Sequence, residues 1–202
     1  MADCGPKLLI DDLDWWRDFE ESAPLNSSFS VDPHRPAAIA YTSGTTGTPK
    51  GVAHSQHNLL WPGLATIEMD PPGIDDRTGS PLALSTLNIM VLGPLTAFLR
   101  GGTAVVMHRT DAPGLAADLA HHRVSRAVLV PTLLHDLVHG HVDPELLCTL
   151  CTVLVGGAGT PKTIRDQFAS RFGVTPTLSY GFSEAPTGVA RTGTDSDRGA
   201  AP

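Results

Sequence analysis

A run of small residues, hydroxyls and one lysine near the start of the chain has the composition of a phosphate-binding loop. It reads YTSGTTGTPKGV over residues 41–52, follows the apolar stretch 37–40 and leads into 51–54. Both flanking stretches predict strands. Glycine lets the backbone approach an anion closely, hydroxyls donate hydrogen bonds, and Lys50 adds positive charge. The run therefore predicts a cradle for a polyphosphate.

The neighbours of Lys50 exclude the phosphate loop of nucleotide triphosphatases. That motif has Gly directly before its lysine and Ser or Thr directly after it, whereas Lys50 lies between Pro49 and Gly51. On composition alone, a polar linker between two strands also explains the run. The candidate phosphate-binding residues are Thr42, Ser43, Gly44, Thr45, Thr46, Gly47, Thr48 and Lys50.

A second group of polar residues, SYGFSE over residues 179–184, comes at the end of a predicted strand, 176–180. Ligands of open parallel sheets gather at the carboxyl ends of the strands, so a hydroxyl and a carboxylate are well placed there. Glu184 beside a bound triphosphate has the oxygen ligands that Mg²⁺ prefers. Taken alone, a strand end followed by a polar turn explains the segment equally well.

Small residues also follow the preceding predicted strand, where the chain reads Gly156-Gly157-Ala158. A segment without bulky side chains lets a flat purine ring lie against the backbone. The alternative is an ordinary glycine-rich turn between a strand and a helix.

The run at 41–52 closely resembles the phosphate-loop motif of the adenylate-forming superfamily. This superfamily includes acyl-CoA and aryl-CoA synthetases, adenylation domains of peptide synthetases and luciferases. The segment 180–184 resembles the aromatic-Gly-x-Thr-Glu motif of the same enzymes, with Ser183 in the place of the usual Thr. The glycine pair before Ala158 resembles the segment that forms one wall of their adenine pocket.

The resemblance implies a role for each of these residues. Tyr180 and Gly181 would lie at the adenine, together with Gly156, Gly157 and Ala158. Ser183 would contact the α-phosphate, Glu184 would hold Mg²⁺, and the loop with Lys50 would hold the β- and γ-phosphates. The implied cofactors are ATP and Mg²⁺, with coenzyme A as the acceptor.

The implied reaction joins ATP and a carboxylic acid into an acyl-adenylate with release of pyrophosphate, usually followed by transfer to a thiol. Residues 81–88 lack the His or aromatic group that many members carry near the acyl site, which leaves the acid unassigned. The resemblance covers residues 36–188 and does not include the family's ribose-binding Asp or the domain with its catalytic Lys. We therefore expect a truncated form that is inactive alone; the alternative is a non-catalytic nucleotide-binding module completed by a partner chain.

Length and composition agree with a globular nucleotide-binding protein. The 202 residues carry a formal charge of -7, with 41% hydrophobic and 17% charged residues. An acidic chain without a basic stripe argues against nucleic-acid binding. No apolar run reaches the length of a membrane span. Three cysteines and an acidic N-terminal stretch without a signal pattern predict a cytoplasmic protein.

Strands and helices alternate along most of the chain, which predicts an α/β fold with a mainly parallel sheet and flanking helices. This is the expectation for part of an adenylate-forming N-terminal domain. We expect an N-terminal helix and connector over 1–35, the partial AMP-binding domain over 36–188 and an extended or disordered tail over 189–202. The predicted helices are 8–21, 58–69, 88–99, 111–122, 131–139 and 161–172, and the predicted strands are 37–40, 51–54, 81–85, 103–107, 126–130, 151–155 and 176–180.

Two further groups of residues have the types found in metal sites. Cys148 and Cys151 have the spacing of redox and zinc sites, but without a second cysteine pair we predict buried thiols at the start of a strand. His135, His139 and His141 lack a nearby carboxylate pattern, so we predict a solvated helix face.

Overall fold

The computed structural model describes residues 32–42, 48–73 and 75–192. Those from Pro33 onward belong to one compact unit. The helix predicted over 8–21 lies outside the described residues, and the domain boundaries after residues 35 and 188 stay predictions. None of the helices in the described part of the chain has both the length and the apolar character that a bilayer span requires.

Six strands form the main sheet, in the order β4-β3-β5-β6-β7-β8. Neighbours from β4 to β7 are parallel, and β8 pairs with β7 in the antiparallel direction. The predicted α/β fold with a mainly parallel sheet is therefore confirmed. The strands are β3 Arg77–Ser80, β4 Thr103–Val106, β5 Arg126–Leu129, β6 Thr152–Val155, β7 Thr177–Phe182 and β8 Ala185–Arg191.

A separate two-stranded sheet is formed by the hairpin of β1 (Pro36–Thr42) and β2 (Lys50–Ser55). Its strands are antiparallel, and Thr42 lies opposite Lys50 at the end where the loop joins them. Both strands follow the prediction from the sequence.

Helices cover both faces of the main sheet. Three of them, α4, α5 and α6, follow β4, β5 and β6 and bury the apolar cluster that contains Leu115, Leu134 and Phe168. On the other face, α1 packs against a helical stretch over residues 87–99. The helices are α1 Gln56–Met69, α2 Leu87–Met90, α3 Thr96–Leu99, α4 Ala112–His121, α5 Pro131–His139 and α6 Lys162–Phe172.

Local residues explain where several helices begin and end. Ser55 caps α1 by accepting a hydrogen bond from the Asn58 backbone N–H at 3.2 Å, and Asp111 caps α4 through the Gly114 N–H at 2.8 Å. Gly173 ends α6 with a φ of 75°, the left-handed conformation that glycine adopts without a steric cost.

The extended apolar run predicted over 81–85 is wrong, because the strand lies earlier, at Arg77–Ser80. The strand is built from small and polar residues, of which Thr78, Gly79 and Ser80 are buried. A Cβ at Gly79 would lie 3.0 Å from Met107 and Val124 side-chain atoms. Close packing between two parallel neighbours thus selects residues that lack the usual apolar pattern of a strand.

The helix predicted over 88–99 is present but contains a π-helical segment, Val91–Leu95, between α2 and α3. Pro94 lies inside this segment and has no N–H to donate. The Thr96 hydroxyl donates to the Val91 carbonyl at 2.7 Å, which helps to satisfy the widened turn.

Charged side chains at the amino end of the main sheet pair with one another. Asp76, directly before β3, accepts a 2.5 Å bond from Arg100, whose guanidinium also donates to the Asp70 carbonyl. The Asp70 carboxylate pairs with Arg126, the first residue of β5, and accepts from the Thr152 hydroxyl at 3.2 Å. The side chains of Arg100, Asp76 and Arg126 are only 3%, 7% and 2% exposed.

Burial lowers the pKa of Arg126 from 12.5 to about 10, and the positive charge of Arg191 acts in the same direction. The Asp70 carboxylate opposes this shift, because it stabilises the charged guanidinium by charge and by a hydrogen bond. The carboxylates therefore compensate arginines that the fold takes out of water.

The prediction of buried thiols is wrong, since Cys148 and Cys151 are both exposed. Cys148 lies at the end of a short 3₁₀ helix, Pro144–Leu147, and Cys151 precedes β6 instead of beginning it.

The solvated face predicted for His135 and His139 is confirmed, because both side chains are exposed. The residues that the structure describes contain no group of three or more His, Cys, Asp or Glu side chains suited to a metal ion.

Candidate functional site

The hairpin of β1 and β2 positions the ends of the predicted phosphate loop. Thr42 is half-buried at the end of β1, while Thr48 and Lys50 are exposed at the start of the returning strand. The middle of the loop, Ser43, Gly44, Thr45, Thr46 and Gly47, lies outside the described residues. The strand register places Lys50 opposite Thr42, so the lysine lies at the end of the hairpin where the loop joins the two strands.

The predicted glycine segment follows β6 and lies close to β7. A Cβ on Gly156 would lie 3.1 Å from the Ser179 carbonyl oxygen, so that backbone would have to shift by a few tenths of an ångström to accept a side chain. Gly157 has a φ of 89°, in the region that favours glycine. Ala158 is exposed directly after it. The segment therefore presents bare backbone at the carboxyl end of the sheet.

The polar segment SYGFSE, residues 179–184, forms the end of β7 and the turn into β8. Tyr180 and Gly181 belong to β7, and the Tyr180 side chain is 63% exposed. Ser183 is half-buried and Glu184 is exposed in the turn that follows. A carboxylate in this position is open to solvent and to a ligand.

One cavity of about 510 Å³ lies between the glycine segment after β6 and the end of β7. Gly157, Ala158 and Thr160 line one side of it, and Tyr180 and Gly181 line the other. This volume lies in the usual range for small-molecule sites. The Thr160 hydroxyl is buried here without a hydrogen-bond partner among the described residues. The cavity therefore has bare backbone on one side and an aromatic ring on the other.

A second cavity, of about 260 Å³, lies on the other side of the glycine segment. None of the described residues that line it is charged. Its polar lining comes from Thr86, Asn88 and Ser179, and part of its apolar lining comes from Ile89, Leu92 and Leu154. Thr86 and Asn88 belong to residues 81–88, which the resemblance relates to the acyl site, whereas no motif in the sequence indicated Ile89, Leu92 or Leu154. Along β6, Val153 and Val155 belong to the main apolar cluster, and the alternation of a strand turns Leu154 to the opposite face.

A buried histidine, His54, was also missed as part of the site. Its side chain is 1% exposed in β2, and its Nε2 lies 2.7 Å from the carbonyl oxygen of Ser183. The sequence separation of 129 residues hides this contact from any local pattern.

The residues present fit Mg²⁺ only in company with a ligand. Glu184 is one exposed carboxylate, and no three potential metal-ligating side chains cluster among the residues described. Mg²⁺ is commonly held by one or two carboxylates together with phosphate oxygens and water. Glu184 would then hold the ion against the phosphates of a nucleotide, where the ion would neutralise their charge.

The family model described as AMP-binding enzyme matches residues 3–201. The indoleacetate–CoA ligase of Aromatoleum aromaticum is 36% identical over 160 residues, which is 76% of this chain and 30% of that protein. A malonyl-CoA ligase, solved as a product complex with methylmalonyl-CoA and AMP, superposes with a TM-score of 0.72 at 27% identity. That match covers 80% of this chain and 36% of the other.

The fold has a further match in a benzoate CoA ligase of Burkholderia xenovorans, with a TM-score of 0.77 at 21% identity. It covers 93% of this chain and 37% of the ligase. The chain thus spans about a third of the length of these proteins. Because the family model spans nearly all of the sequence, the chain belongs to the family of AMP-binding enzymes.

Proposed function

We propose that the protein to which this chain belongs activates a carboxylic acid with ATP. The acid's oxygen attacks the α-phosphorus, an acyl-adenylate forms and pyrophosphate leaves. The thiol of coenzyme A then displaces AMP and yields a thioester. The observation that carries the proposal is the cavity lined by Gly157, Ala158, Tyr180 and Gly181, with Glu184 three positions after Gly181 in the turn that follows β7.

Each motif has a proposed part in this reaction. The backbone of Gly156 and Gly157 and the ring of Tyr180 would hold the adenine, with Gly181 leaving room beside it. Lys50 and the hydroxyls of the phosphate loop would bind the β- and γ-phosphates. Ser183 would donate to the α-phosphate, and Glu184 would hold Mg²⁺, which supplies positive charge to the phosphates.

The apolar cavity of about 260 Å³ supports a place for the acid's tail. It shares Gly157, Ser179 and Gly181 with the cavity of the proposed nucleotide site. A carboxylate at its mouth would therefore lie near the α-phosphate.

We also propose that the reaction takes place in the cytoplasm, which the small number of cysteines supports.

Thermal unfolding with and without ATP and Mg²⁺ tests the nucleotide site. Ligand at a hundredfold excess over its Kd stabilises a protein by about 2.7 kcal/mol, which raises the Tm of a chain of this size by roughly 5–10 °C. We expect that shift with ATP and Mg²⁺, and a smaller one for Lys50→Ala. Arg123→Ala is the matched control, because Arg123 is exposed in the turn before β5, at the opposite end of the sheet. A cooperative transition that ATP and Mg²⁺ leave unmoved would contradict the proposal.

Pyrophosphate exchange over a panel of carboxylic acids then separates catalysis from binding. We expect that this chain alone binds nucleotide and exchanges little or no pyrophosphate. The chemical step needs a cation on the transferring phosphoryl group and exclusion of water, and the resemblance assigns these to a domain beyond the matched motifs. Robust exchange by this chain alone would contradict the expectation that it is inactive alone.

The second candidate function is a nucleotide-binding module completed by a partner chain. Large apolar side chains are exposed on α1 and α3, among them Trp61 at 60%, Met69 at 52% and Phe98 at 66%. Exposed apolar groups of this kind mark interaction surfaces. The proposed partner is a polypeptide with the remaining part of an adenylate-forming domain. Recovery of pyrophosphate exchange when this chain is mixed with that partner polypeptide would support this function, and unchanged exchange would reject it.

A further inference from the structure

His54 occupies a position that neither the phosphate loop nor the adenine cavity explains. It is a polar side chain with 1% exposure, at the last position but one of β2. Its ring has two polar contacts, from Nε2 to the Ser183 carbonyl oxygen at 2.7 Å and from Nδ1 to the Asn58 amide nitrogen at 3.4 Å.

The two contacts together define one state of the ring. A carbonyl oxygen only accepts hydrogen bonds, so Nε2 must carry a proton and donate it to Ser183. In the neutral ring Nδ1 then has a lone pair, which accepts from the amide of Asn58. Both ring nitrogens are used, and the orientation of the imidazole is fixed.

The contact joins two sheets that share no backbone pairing. The hairpin of β1 and β2 is a sheet of its own, whereas Ser183 follows β7 of the main sheet. A cleft of about 600 Å³ lies between them, lined by β1 residues such as Tyr41, by residues 84–88 and by Ser183. A side-chain bridge from His54 therefore supplies a link that strand pairing does not.

The two ends of this link are the two parts of the proposed triphosphate site. Lys50 begins the same strand as His54, four positions earlier. The Ser183 carbonyl belongs to the peptide bond that leads into Glu184. We infer that His54 is a positioning residue that fixes the turn bearing Glu184 relative to the phosphate-loop hairpin. This inference rests on the proposed function.

Loss of the bridge should act on the Mg²⁺-dependent part of nucleotide binding. Without the imidazole N–H, a carbonyl in partly buried surroundings loses its donor and the turn gains freedom. Glu184 and Lys50 would no longer be held at a set separation, so a ligand that needs both would bind more weakly. Adenosine has no phosphates and should bind as before.

The experiment measures the binding of ATP with Mg²⁺, and of adenosine, by calorimetry. His54→Phe keeps the ring volume and removes both polar atoms, and His54→Gln places an amide nitrogen close to the position of Nε2. His57→Gln is the matched control, an exposed histidine three residues further along. His54→Asn, whose shorter side chain does not reach Ser183, replaces the Phe variant if that variant does not fold.

We expect His54→Phe to weaken ATP binding with Mg²⁺ by about tenfold. His54→Gln should recover most of the affinity, the His57 control should match the parent chain, and adenosine should bind equally to all. An unchanged affinity for ATP with Mg²⁺ in His54→Phe would overturn the inference. Equal losses for ATP and adenosine would overturn it too, because they would show a general effect on the fold.

If the parent chain binds no nucleotide, the proposed function is rejected. Hydrogen exchange then still tests whether His54 holds the turn. The amides of residues 183–185 should then exchange faster in His54→Phe than in the parent, and His54→Gln should restore the slower rate. Equal exchange in all variants would show that His54 does not hold the turn.

Discussion

Charged side chains lie at both ends of the main sheet, but their surroundings differ. At the amino end Asp76, Arg100 and Arg126 are buried and pair within the fold. At the carboxyl end Glu184 is exposed, and so is Lys50 of the neighbouring hairpin. The carboxylates at the amino end are held by arginines of the fold, whereas the charged groups of Glu184 and Lys50 are open to solvent. We therefore expect substitutions at the amino end to lower stability, and substitutions at the carboxyl end to lower the affinity for nucleotide.

The largest expected effect is on stability, at the amino end. Asp76→Asn leaves the Arg100 guanidinium buried without its carboxylate, so the free energy of unfolding should fall by about 3 kcal/mol. Urea denaturation at pH 7 measures this. The affinity of the remaining folded protein for ATP should stay within about twofold, because no charge near the proposed site changes.

Asp166→Asn is the matched control for this prediction. Asp166 pairs with Lys162 at 2.7 Å, but the two side chains are 59% and 77% exposed. An exposed pair one helical turn apart contributes only about 0.3–0.5 kcal/mol. Equal losses in the two variants would break the distinction between the two ends, since burial would then not decide the effect.

The second prediction concerns the carboxyl end. Glu184→Gln removes the proposed ligand of Mg²⁺ and should weaken ATP binding in the presence of the metal by about 30-fold, or about 2 kcal/mol. The free energy of unfolding should stay within about 0.5 kcal/mol, since an exposed substitution rarely exceeds that. Calorimetry with Mg²⁺ and with a chelator measures the difference, which should vanish in the chelator. A large loss of stability would mean that Glu184 belongs to the fold and not to the site.

The third prediction tests the bare backbone that the glycine segment presents. Gly157→Ala forces a side chain onto a φ of 89° and should cost about 1–2 kcal/mol of stability. Gly159→Ala, two residues further along, meets nothing within 4 Å and has no left-handed φ, so it should cost less than about 0.5 kcal/mol. Thermal unfolding of the two variants makes the comparison. Equal Tm values would show that the segment can relax and does not present a fixed surface.

Much of the fold could be predicted because local residues mark the elements. Asp111 with a proline in the first turn of α4, the proline that opens α5, and Gly173 after α6 are signals that act within a few residues. After their first residues, Arg126 and Thr152, the strands β5 and β6 are apolar runs with both faces covered, as expected for a parallel sheet. The predicted helices and strands in this part therefore agree with the structure to within one or two residues.

Features that depend on distant neighbours could not be predicted in the same way. Strand β3 reads Arg-Thr-Gly-Ser, and only packing against Met107 and Val124 explains its glycine. β8 has no alternating pattern and forms by pairing with β7. At the candidate site, the motifs could be placed at the carboxyl ends of strands from the sequence. The contact of His54 with Ser183 could not, because the two residues are 129 positions apart.

The smallest expected effect concerns Cys148 and Cys151, which also lie near the amino end of the sheet. Both thiols are exposed, so the double variant Cys148→Ser with Cys151→Ser should change the free energy of unfolding by less than about 0.5 kcal/mol. A buried thiol would behave as a small apolar group, and its replacement by a hydroxyl would cost about 1–3 kcal/mol. Urea denaturation under reducing conditions distinguishes the two values. A small change would show that the buried ion pairs stabilise the amino end of the sheet, and that exposed polar side chains near the same edge do not.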